Sequence, residues 1–449
     1  MGVTRRLVRA AARRPHVLVA AMPGGTASRL AVEAYLRRRN WPTAWSPADA
    51  DLLVVCGAVP TALRTTVEQL WAEIPRPRAR TDVAAAVFAP EALDSARARL
   101  AAPNEDCGDP QGRSDPHAHA TPSDRTPARG MSPPDARHAD SHAVGASPGP
   151  DGGHGSQEEP PQDSGQGMSG RGVDHPGMAH GDMDDGMSMP AGLAMAVRGD
   201  DRDGLKLDQL HVALGPVLAG WPAGLVLRVT LQGDVIQSAR TEFVGAEAPG
   251  SFWVEPVTRA MYGEAVTVGE AARRTAGCYL DRLGRFLAVA GWPDPSAAAY
   301  VLRDDVLGGA APQEVAGRFD ALARRVGRSR ALGWMTAGLG VLSAAEAQAL
   351  GVTGPAARAG GDVTARYRQW LAEAADLLDV VDDPVLLTAH GDGRAIGHLH
   401  DAVTSPEPLL AAIERLVVGA EIGAARLVVA SFDPDVDEMA GRPAAVANG

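Results

Sequence analysis

Cysteine is scarce in this sequence. Its 449 residues include three cysteines, Cys56, Cys107 and Cys278, and no two of them lie close together. Iron–sulfur clusters and structural zinc sites need several cysteine or histidine ligands, usually with two cysteines in Cys-x-x-Cys spacing. The cysteines of this chain can therefore build neither kind of site alone, and we expect buried thiols in a reducing cytoplasm.

Long apolar runs are also missing. A helix that crosses a bilayer needs about 20 consecutive apolar residues, and no segment reaches that length. The first fourteen residues carry five arginines, a pattern open to a twin-arginine signal or a lipid-facing patch but more typical of a solvated helix end. We expect no direct membrane span, so any membrane contact goes through partner proteins.

Positive charge is in deficit, with 43 Lys and Arg against 55 Asp and Glu and a net charge of −12. This balance argues against nucleic acid as a partner.

Residues 101–195 lack aromatic side chains and any apolar periodicity, and Gly, Pro, Ser, Asp and His dominate them. Such a segment cannot bury enough surface to offset its ordering entropy, which predicts a long disordered linker. Thioether and imidazole ligands suit copper, especially Cu(I), so the linker is either a spacer of biased composition or a copper site. The candidate ligands are His175, Met178, His180, Met183, Met187 and Met189.

Ahead of this linker, residues 15–90 alternate between strand and helix patterns, which predicts a parallel α/β sheet. The predicted strands are Val17–Ala21, Leu52–Cys56 and Val83–Phe88, and the predicted helices are Thr26–Arg39 and Leu63–Ile74. The turn Pro23–Thr26 lies where a phosphate can bind. It lacks the lysine and spacing of a P-loop, which favours an ordinary turn.

After the linker, the pattern changes to a β segment at 205–239 and then to helices. Gln232-Gly233-Asp234 predicts a hairpin turn. Thr267 and Glu270 have capping-box spacing and open a predicted helix. Pro312–Val326 predicts an amphipathic helix with Val315, Phe319, Leu322 and Val326 facing inward.

The stretch Gly338–Trp370 predicts a short helix, a rigid turn and a long helix. Ser343 caps the first helix in a capping box with Glu346. Gly351 and then Thr353-Gly354-Pro355 end it, and Asp362 caps the second helix.

This stretch resembles one subunit of bacterial respiratory NADH:quinone oxidoreductase (complex I), the one that is related to the nickel-iron hydrogenase large subunit. The matching segments are Gly340–Ala347, Gly351–Gly360, Gly361–Tyr367 and Leu427–Pro434. The resemblance implies an α+β, mainly helical C-terminal domain, which we call large-subunit-like. It assigns structural roles to Thr353, Gly354, Pro355, Arg358, Gly361, Asp362, Arg366, Tyr367, Asp433 and Pro434.

Several functional positions of that family are changed. The quinone-facing loop corresponds to 215–224, where both family histidines are missing and Leu218 replaces the first. His211 lies upstream of the loop and does not take over that role. Asp435 and Glu438 stand where hydrogenases carry metal-binding cysteines. His398 and His400, with His390 and Asp392 nearby, are either exposed side chains or metal ligands.

The N-terminal segment is similar to the first half of a second complex I component, the relative of the hydrogenase small subunit. The similarity rests on the residues Ala50–Val59, Leu70-Trp71 and Ile74–Pro77. The cluster-binding cysteines of that family have no counterparts here. We call this segment small-subunit-like.

The sequence therefore predicts a truncated small-subunit-like domain at 1–100, the linker at 101–195 and a large-subunit-like domain at 196–449. The resemblance implies a peripheral subunit of a complex I-like or energy-converting hydrogenase-like assembly, on the inner face of the plasma membrane. Its partners are membrane and peripheral subunits. The chain has no catalytic residue or cofactor of its own, so its role is accessory. Quinone binds only together with partner subunits, and copper handling by the linker is the alternative function.

Overall fold

The structure is a computed structural model that describes residues 13–101, 198–200, 206–245, 250–387, 406–435 and 437. Its N-terminal part is built on a three-stranded parallel sheet in the order β1 (Val17–Ala21), β2 (Leu52–Cys56) and β3 (Ala79–Val83). All five residues of β2 are buried, as expected for a central strand that is covered on both faces. The predicted parallel α/β sheet is confirmed.

Three helices cover this sheet: α1 (Thr26–Arg39), α2 (Arg64–Glu73) and α3 (Ala89–Ala101). Leu52 and Val54 pack with α1 and α3 on one face. Leu53 and Val55 pack with α2 on the other face. This alternation follows from the two-residue repeat of a strand.

The predicted third strand, Val83–Phe88, is wrong. The strand β3 runs from Ala79 to Val83, and Ala86–Phe88 forms a 3-10 turn whose Val87 and Phe88 are exposed. An edge strand needs only partial burial, and β3 carries the polar residues Arg80, Thr81 and Asp82 in its middle. The strand β3 therefore lacks a run of apolar residues, which is the pattern on which the strand prediction at 83–88 was based.

A second sheet is antiparallel, in the order β4 (Arg198–Asp200), β5 (Lys206–Leu214), β6 (Leu225–Gln232) and β7 (Val235–Phe243). The chain turns from β6 to β7 at Gly233 and Asp234, and Gly233 has φ +60°. A two-residue hairpin loop favours positive φ, which explains the glycine. The predicted hairpin is confirmed.

The remaining described elements are helices, and none of the described helices is long and apolar enough to cross a membrane. They are α4 (Glu255–Met261), α5 (Val268–Val289), α6 (Pro293–Leu307), α7 (Pro312–Gly327), α8 (Arg330–Thr336), α9 (Ala344–Leu350), α10 (Gly354–Ala359), α11 (Val363–Leu378), α12 (Glu407–Val417) and α13 (Ile422–Phe432). The main core lies between these helices and the antiparallel sheet.

Capping residues set several helix ends as predicted. The Thr267 side chain accepts a hydrogen bond from the Glu270 amide and opens α5. Ser343 and Glu346 form a complete capping box at α9, which ends at Gly351 in the left-handed region. Asp362 caps α11. The four inward residues predicted for α7 are its buried residues.

The turn between α9 and α11 differs from the prediction. Residues Gly354–Ala359 form the short helix α10, which begins with Pro355 in its first turn and ends at Gly360 in the left-handed region. Proline is favoured at the start of a helix because its missing N–H has no partner there in any case. The residue pair that was expected only to stop one helix thus also starts another.

Candidate functional site

A buried cluster of charges joins α1 to the helical part. Arg29 donates to both oxygens of Asp281, at 3.1 and 2.8 Å, and to Glu33 at 3.0 Å. Arg303 of α6 donates to Glu33 at 2.8 Å and also to Asp281. One turn farther along α1, Arg37 pairs with Asp304. Residues 29, 33 and 37 recur every four positions, which places their alternating charges on one face of α1.

The cluster stays ionised although it is buried. Burial alone raises the pKa of Asp281, but the guanidinium groups of Arg29, Arg285 and Arg303 outweigh it and hold that pKa far below its ordinary value. The pKa of Glu33 is lowered in the same way, chiefly by Arg29 and Arg303 acting against burial. Each carboxylate here therefore carries a charge that its arginine partners require.

A cavity of about 580 Å³ lies beside this cluster. Its wall includes residues of β1 and α1, the loop 216–223, the helices α5 and α6, and four residues after α13 (433–435 and 437). Its apolar lining includes Val19, Ala21, Trp45, Val217, Leu218, Trp221, Pro222, Trp253, Ala288 and Ala297. The cavity thus lies between the parallel-sheet part and the helical part.

The loop 215–224 is held in a fixed shape at both ends. Gly215 has φ +97°, and a Cβ there would lie 2.1 Å from the Leu225 carbonyl oxygen. The same carbonyl accepts a hydrogen bond from Trp221 Nε1 at 2.8 Å. Leu218, which the resemblance aligns with the first family histidine, lies in the cavity wall.

Another part of the cavity wall is charged. The helix α13 ends at Asp433, which adopts a left-handed conformation with φ +40°. Its carboxylate is bound by Arg285 and lies 3.5 Å from Arg282 Nε. Burial raises the pKa of Asp433 above its ordinary value in spite of these two arginines.

Beyond Asp433, two further carboxylates line the cavity. Asp435 accepts a hydrogen bond from the Ser251 hydroxyl. Asp437 accepts one from the Gly24 amide at 2.8 Å and one from Thr26 Oγ1 at 3.3 Å. Burial, followed by the neighbouring charge of Asp435, raises the pKa of Asp437 to about 6. No local pattern in the sequence points to Asp437, since its partners lie more than 400 positions earlier.

The turn 23–26, for which the sequence leaves a phosphate site and an ordinary turn open, binds a carboxylate of the same chain. Its Gly24 has φ +74°. Gly25 packs against β2 so closely that a Cβ would lie 2.1 Å from the Cys56 carbonyl oxygen.

Arg366 connects three of the family-motif segments. It is 1% exposed and donates to Ser431 Oγ at 2.9 Å, to the Gly340 carbonyl at 2.9 Å and to the Gly361 carbonyl at 3.0 Å. Its guanidinium also lies 4.1 Å from the centre of the Phe432 ring. Among the described residues no carboxylate pairs with Arg366, and burial lowers its pKa to about 9.

The other motif residues surround α11. Arg358 donates to the buried carboxylate of Glu373 at 2.7 and 2.8 Å, and Tyr279 also donates to it. The Tyr367 ring stacks on Phe286 with centroids 5.3 Å apart. Thr353 and Pro355 open α10. Of the ten motif residues, Asp433 and Pro434 line the cavity, and the other eight lie outside its lining.

The remaining candidates are placed differently. His211 is exposed on β5, with Nδ1 3.1 Å from Thr230 Oγ1. The linker ligands His175, Met178, His180, Met183, Met187 and Met189 lie outside the described residues, as do Cys107, Glu438, and the group of His390, Asp392, His398 and His400. Among the residues described, no three His, Cys, Asp or Glu side chains are arranged to hold a metal ion. Cys56 and Cys278 are buried free thiols.

Similarity to known proteins is found among solved structures. No family model matches the chain, and no curated protein matches it. Among solved structures, it is similar to a chain of the "membrane-bound sulfane sulfur reductase (MBS), an archaeal respiratory membrane complex". The identity is 14% and the TM-score 0.36, and the match covers 51% of this chain and 98% of that chain. A similarity at this score establishes neither fold nor function.

Proposed function

We propose that this protein is a peripheral, accessory subunit of a complex I-like or hydrogenase-like membrane assembly, bound at its cytoplasmic face. One observation carries the proposal. The cavity is bounded on one side by the small-subunit-like part, through Val19, Thr26 and Arg29, and on the other by the large-subunit-like segments 216–223 and 433–434. In complex I, the family that these parts resemble, quinone is reduced between the two corresponding subunits.

The chemistry of the cavity supports a neutral ligand with a flat ring. Trp45, Trp221 and Trp253 contribute aromatic surface to the wall. The charged lining is balanced, since it holds four arginines (29, 37, 282 and 285) and four carboxylates (33, 433, 435 and 437). The volume lies within the range of about 300–1,000 Å³ that is usual for small-molecule sites. A quinone with a short apolar chain has these properties.

The residues of the cavity position a ligand rather than transfer electrons to it. Its described lining contains neither histidine nor cysteine. The proposed role is therefore to hold and orient the quinone, while a partner subunit supplies the redox centre. We call the subunit accessory in this sense.

Membership of an assembly is tested by purification from the native source. A chromosomally tagged chain should migrate in native gels well above the 46.5 kDa of the monomer after extraction in mild detergent. Mass spectrometry should then identify membrane subunits in that band. Recovery of the tagged chain alone, across several detergents, contradicts the proposal.

Quinone binding is tested on that assembly with a photoreactive short-chain quinone. Labelling should fall on peptides containing residues 42–47 or 216–223, and excess decyl-quinone should suppress it. Leu218→Trp fills part of the cavity and should reduce labelling at least ten-fold. Val341→Trp, at a half-exposed position outside the cavity lining, should leave it unchanged. Equal labelling of the two variants contradicts a quinone site in this cavity.

A further inference from the structure

The last described residue, Asp437, contacts the turn that precedes α1. After α13 the final described segment (residues 433–435 and 437) lines the cavity, and Asp437 binds the Gly24 amide and the Thr26 hydroxyl. The Asp437 side chain is almost completely removed from solvent, at 5% exposure. Two hydrogen bonds therefore connect the segment after α13 to the turn at the start of α1.

The charges around Asp437 do not compensate its own. Asp435 lies in the same segment and adds a like charge. From α1, Arg29 faces Asp437, but its guanidinium is bound to Asp281 and Glu33. From α5, Arg282 faces Asp435 and lies 3.5 Å from Asp433. Asp437 makes no ion pair with any of the described residues. The turn itself offers an amide and a hydroxyl, which are neutral donors.

A buried carboxyl with neutral donors and a carboxylate neighbour binds a proton more tightly than the same group in water. The pKa of Asp437 in this position is raised to about 6, whereas a solvent-exposed Asp has a pKa of about 4. The form in which Asp437 contacts Gly24 and Thr26 therefore binds more protons than the form in which this contact is broken. By linkage, the equilibrium constant for forming this contact is largest below pH 4 and falls roughly 100-fold as the pH rises through 6.

We infer that Asp437 forms a proton-dependent contact in the cavity wall, which holds the final described segment against the turn 23–26 in mildly acidic solution and weakens near neutral pH. A protonated Asp437 keeps its carbonyl oxygen for the Gly24 amide and can donate its own O–H to Thr26. An ionised Asp437 brings a second negative charge beside Asp435 into a buried site. This inference does not depend on quinone binding or on membership of an assembly.

Amide hydrogen exchange on the full chain tests it directly, with site resolution from electron-transfer fragmentation and rates corrected for intrinsic exchange. Protection of the Gly24 amide should fall on the order of 100-fold between pH 4 and pH 7. The Trp41 amide, which bonds Leu36 O at 2.9 Å beyond the other end of α1, should show no such change. A flat profile at Gly24 overturns the proposal.

Two matched variants separate charge from hydrogen bonding. Asp437→Asn keeps an uncharged acceptor of the same shape, so Gly24 should stay protected at every pH. Asp437→Ala removes the acceptor, and protection should be low throughout. Asp435→Asn removes the like charge and should move the wild-type midpoint to lower pH. If Asp437→Asn behaves like Asp437→Ala, the proton dependence is refuted.

Discussion

Arg366 is a case in which one side chain organises several segments. It lies in the interior of the helical part without a carboxylate in contact, and its donors serve two backbone carbonyls and one hydroxyl. Its Nη2 is buried and has no hydrogen-bond partner among the described residues, so the three bonds from Nε and Nη1 offset only part of the desolvation cost of this cation. The sequence motif identified the residue, but the partner Ser431 lies 65 positions away and no pattern indicated it.

Replacing Arg366 with Lys should destabilise the protein by about 2–4 kcal/mol, because an ammonium group cannot reach all three acceptors. Chemical denaturation at pH 7 measures the loss. Arg368→Lys on the same helix is the control, since Arg368 is exposed and makes one long hydrogen bond of 3.3 Å. Similar stability of the two variants contradicts the role given to Arg366.

Gly354 supports a second prediction at this scale. It is buried and has φ +69°, a region in which a β-branched side chain is strained. Gly354→Val should cost about 1–3 kcal/mol. Gly317→Val, in α7 with open space around it, and His211→Ala on an exposed strand position should both lie within about 0.5 kcal/mol of wild type. The ranking of the three thermal midpoints checks the argument.

At the scale of elements, local chemistry predicted several boundaries. The helix Thr26–Arg39 and the strands Val17–Ala21 and Leu52–Cys56 were predicted at their observed limits, since apolar spacing and flanking turn residues agree there. Local chemistry failed at β3, where burial on one side allows polar residues. It also missed α10, whose six residues are too few to show a helical repeat. The family roles assigned to individual motif residues remain predictions.

How elements pack was not readable from the sequence, and the interface of α1 with α5 and α6 is the clearest example. Asp281→Asn leaves the guanidinium groups of Arg29, Arg285 and Arg303 with a missing counter-charge, and we expect a loss of about 3–5 kcal/mol at pH 7. Asp294→Asn, on the exposed start of α6, should be neutral. Urea denaturation of both variants decides between them.

The same interface predicts a pH dependence. The pKa of Asp281 is lower in the folded chain than in the unfolded chain. Its stabilising effect is therefore present above the ordinary Asp value of about 4 and is lost as the pH falls below that value. The free energy of unfolding should decline less steeply from pH 5 to pH 3 in Asp281→Asn than in wild type. Parallel slopes contradict the ion-pair account.

At the scale of the whole molecule, the cavity is assembled from segments that lie far apart in the chain. Motif resemblance located the loop 215–224 and the closing segment 427–434 separately, and apolar patterning located β1 and α1. Only the fold brings Leu218, Arg29 and Asp433 to the lining of one cavity. Long-range placement of this kind depends on core packing and on buried ion pairs, whose partners a single sequence does not reveal, since Arg29 and Asp281 lie 252 positions apart.

The contacts between the two parts should persist without the long connection between them. The parallel-sheet part and the helical part are joined by the buried pairs of Arg29 with Asp281 and Arg303 with Glu33, and these lie within the described residues. We therefore expect residues 101–195 to be dispensable for folding.

Replacing residues 101–195 with about 20 Gly and Ser residues shortens the closing loop roughly five-fold, which should raise stability by about 1 kcal/mol. Denaturant unfolding should keep a single transition with an unchanged slope. A clear loss of stability, or a second transition, would show that the replaced segment contributes to the packed structure.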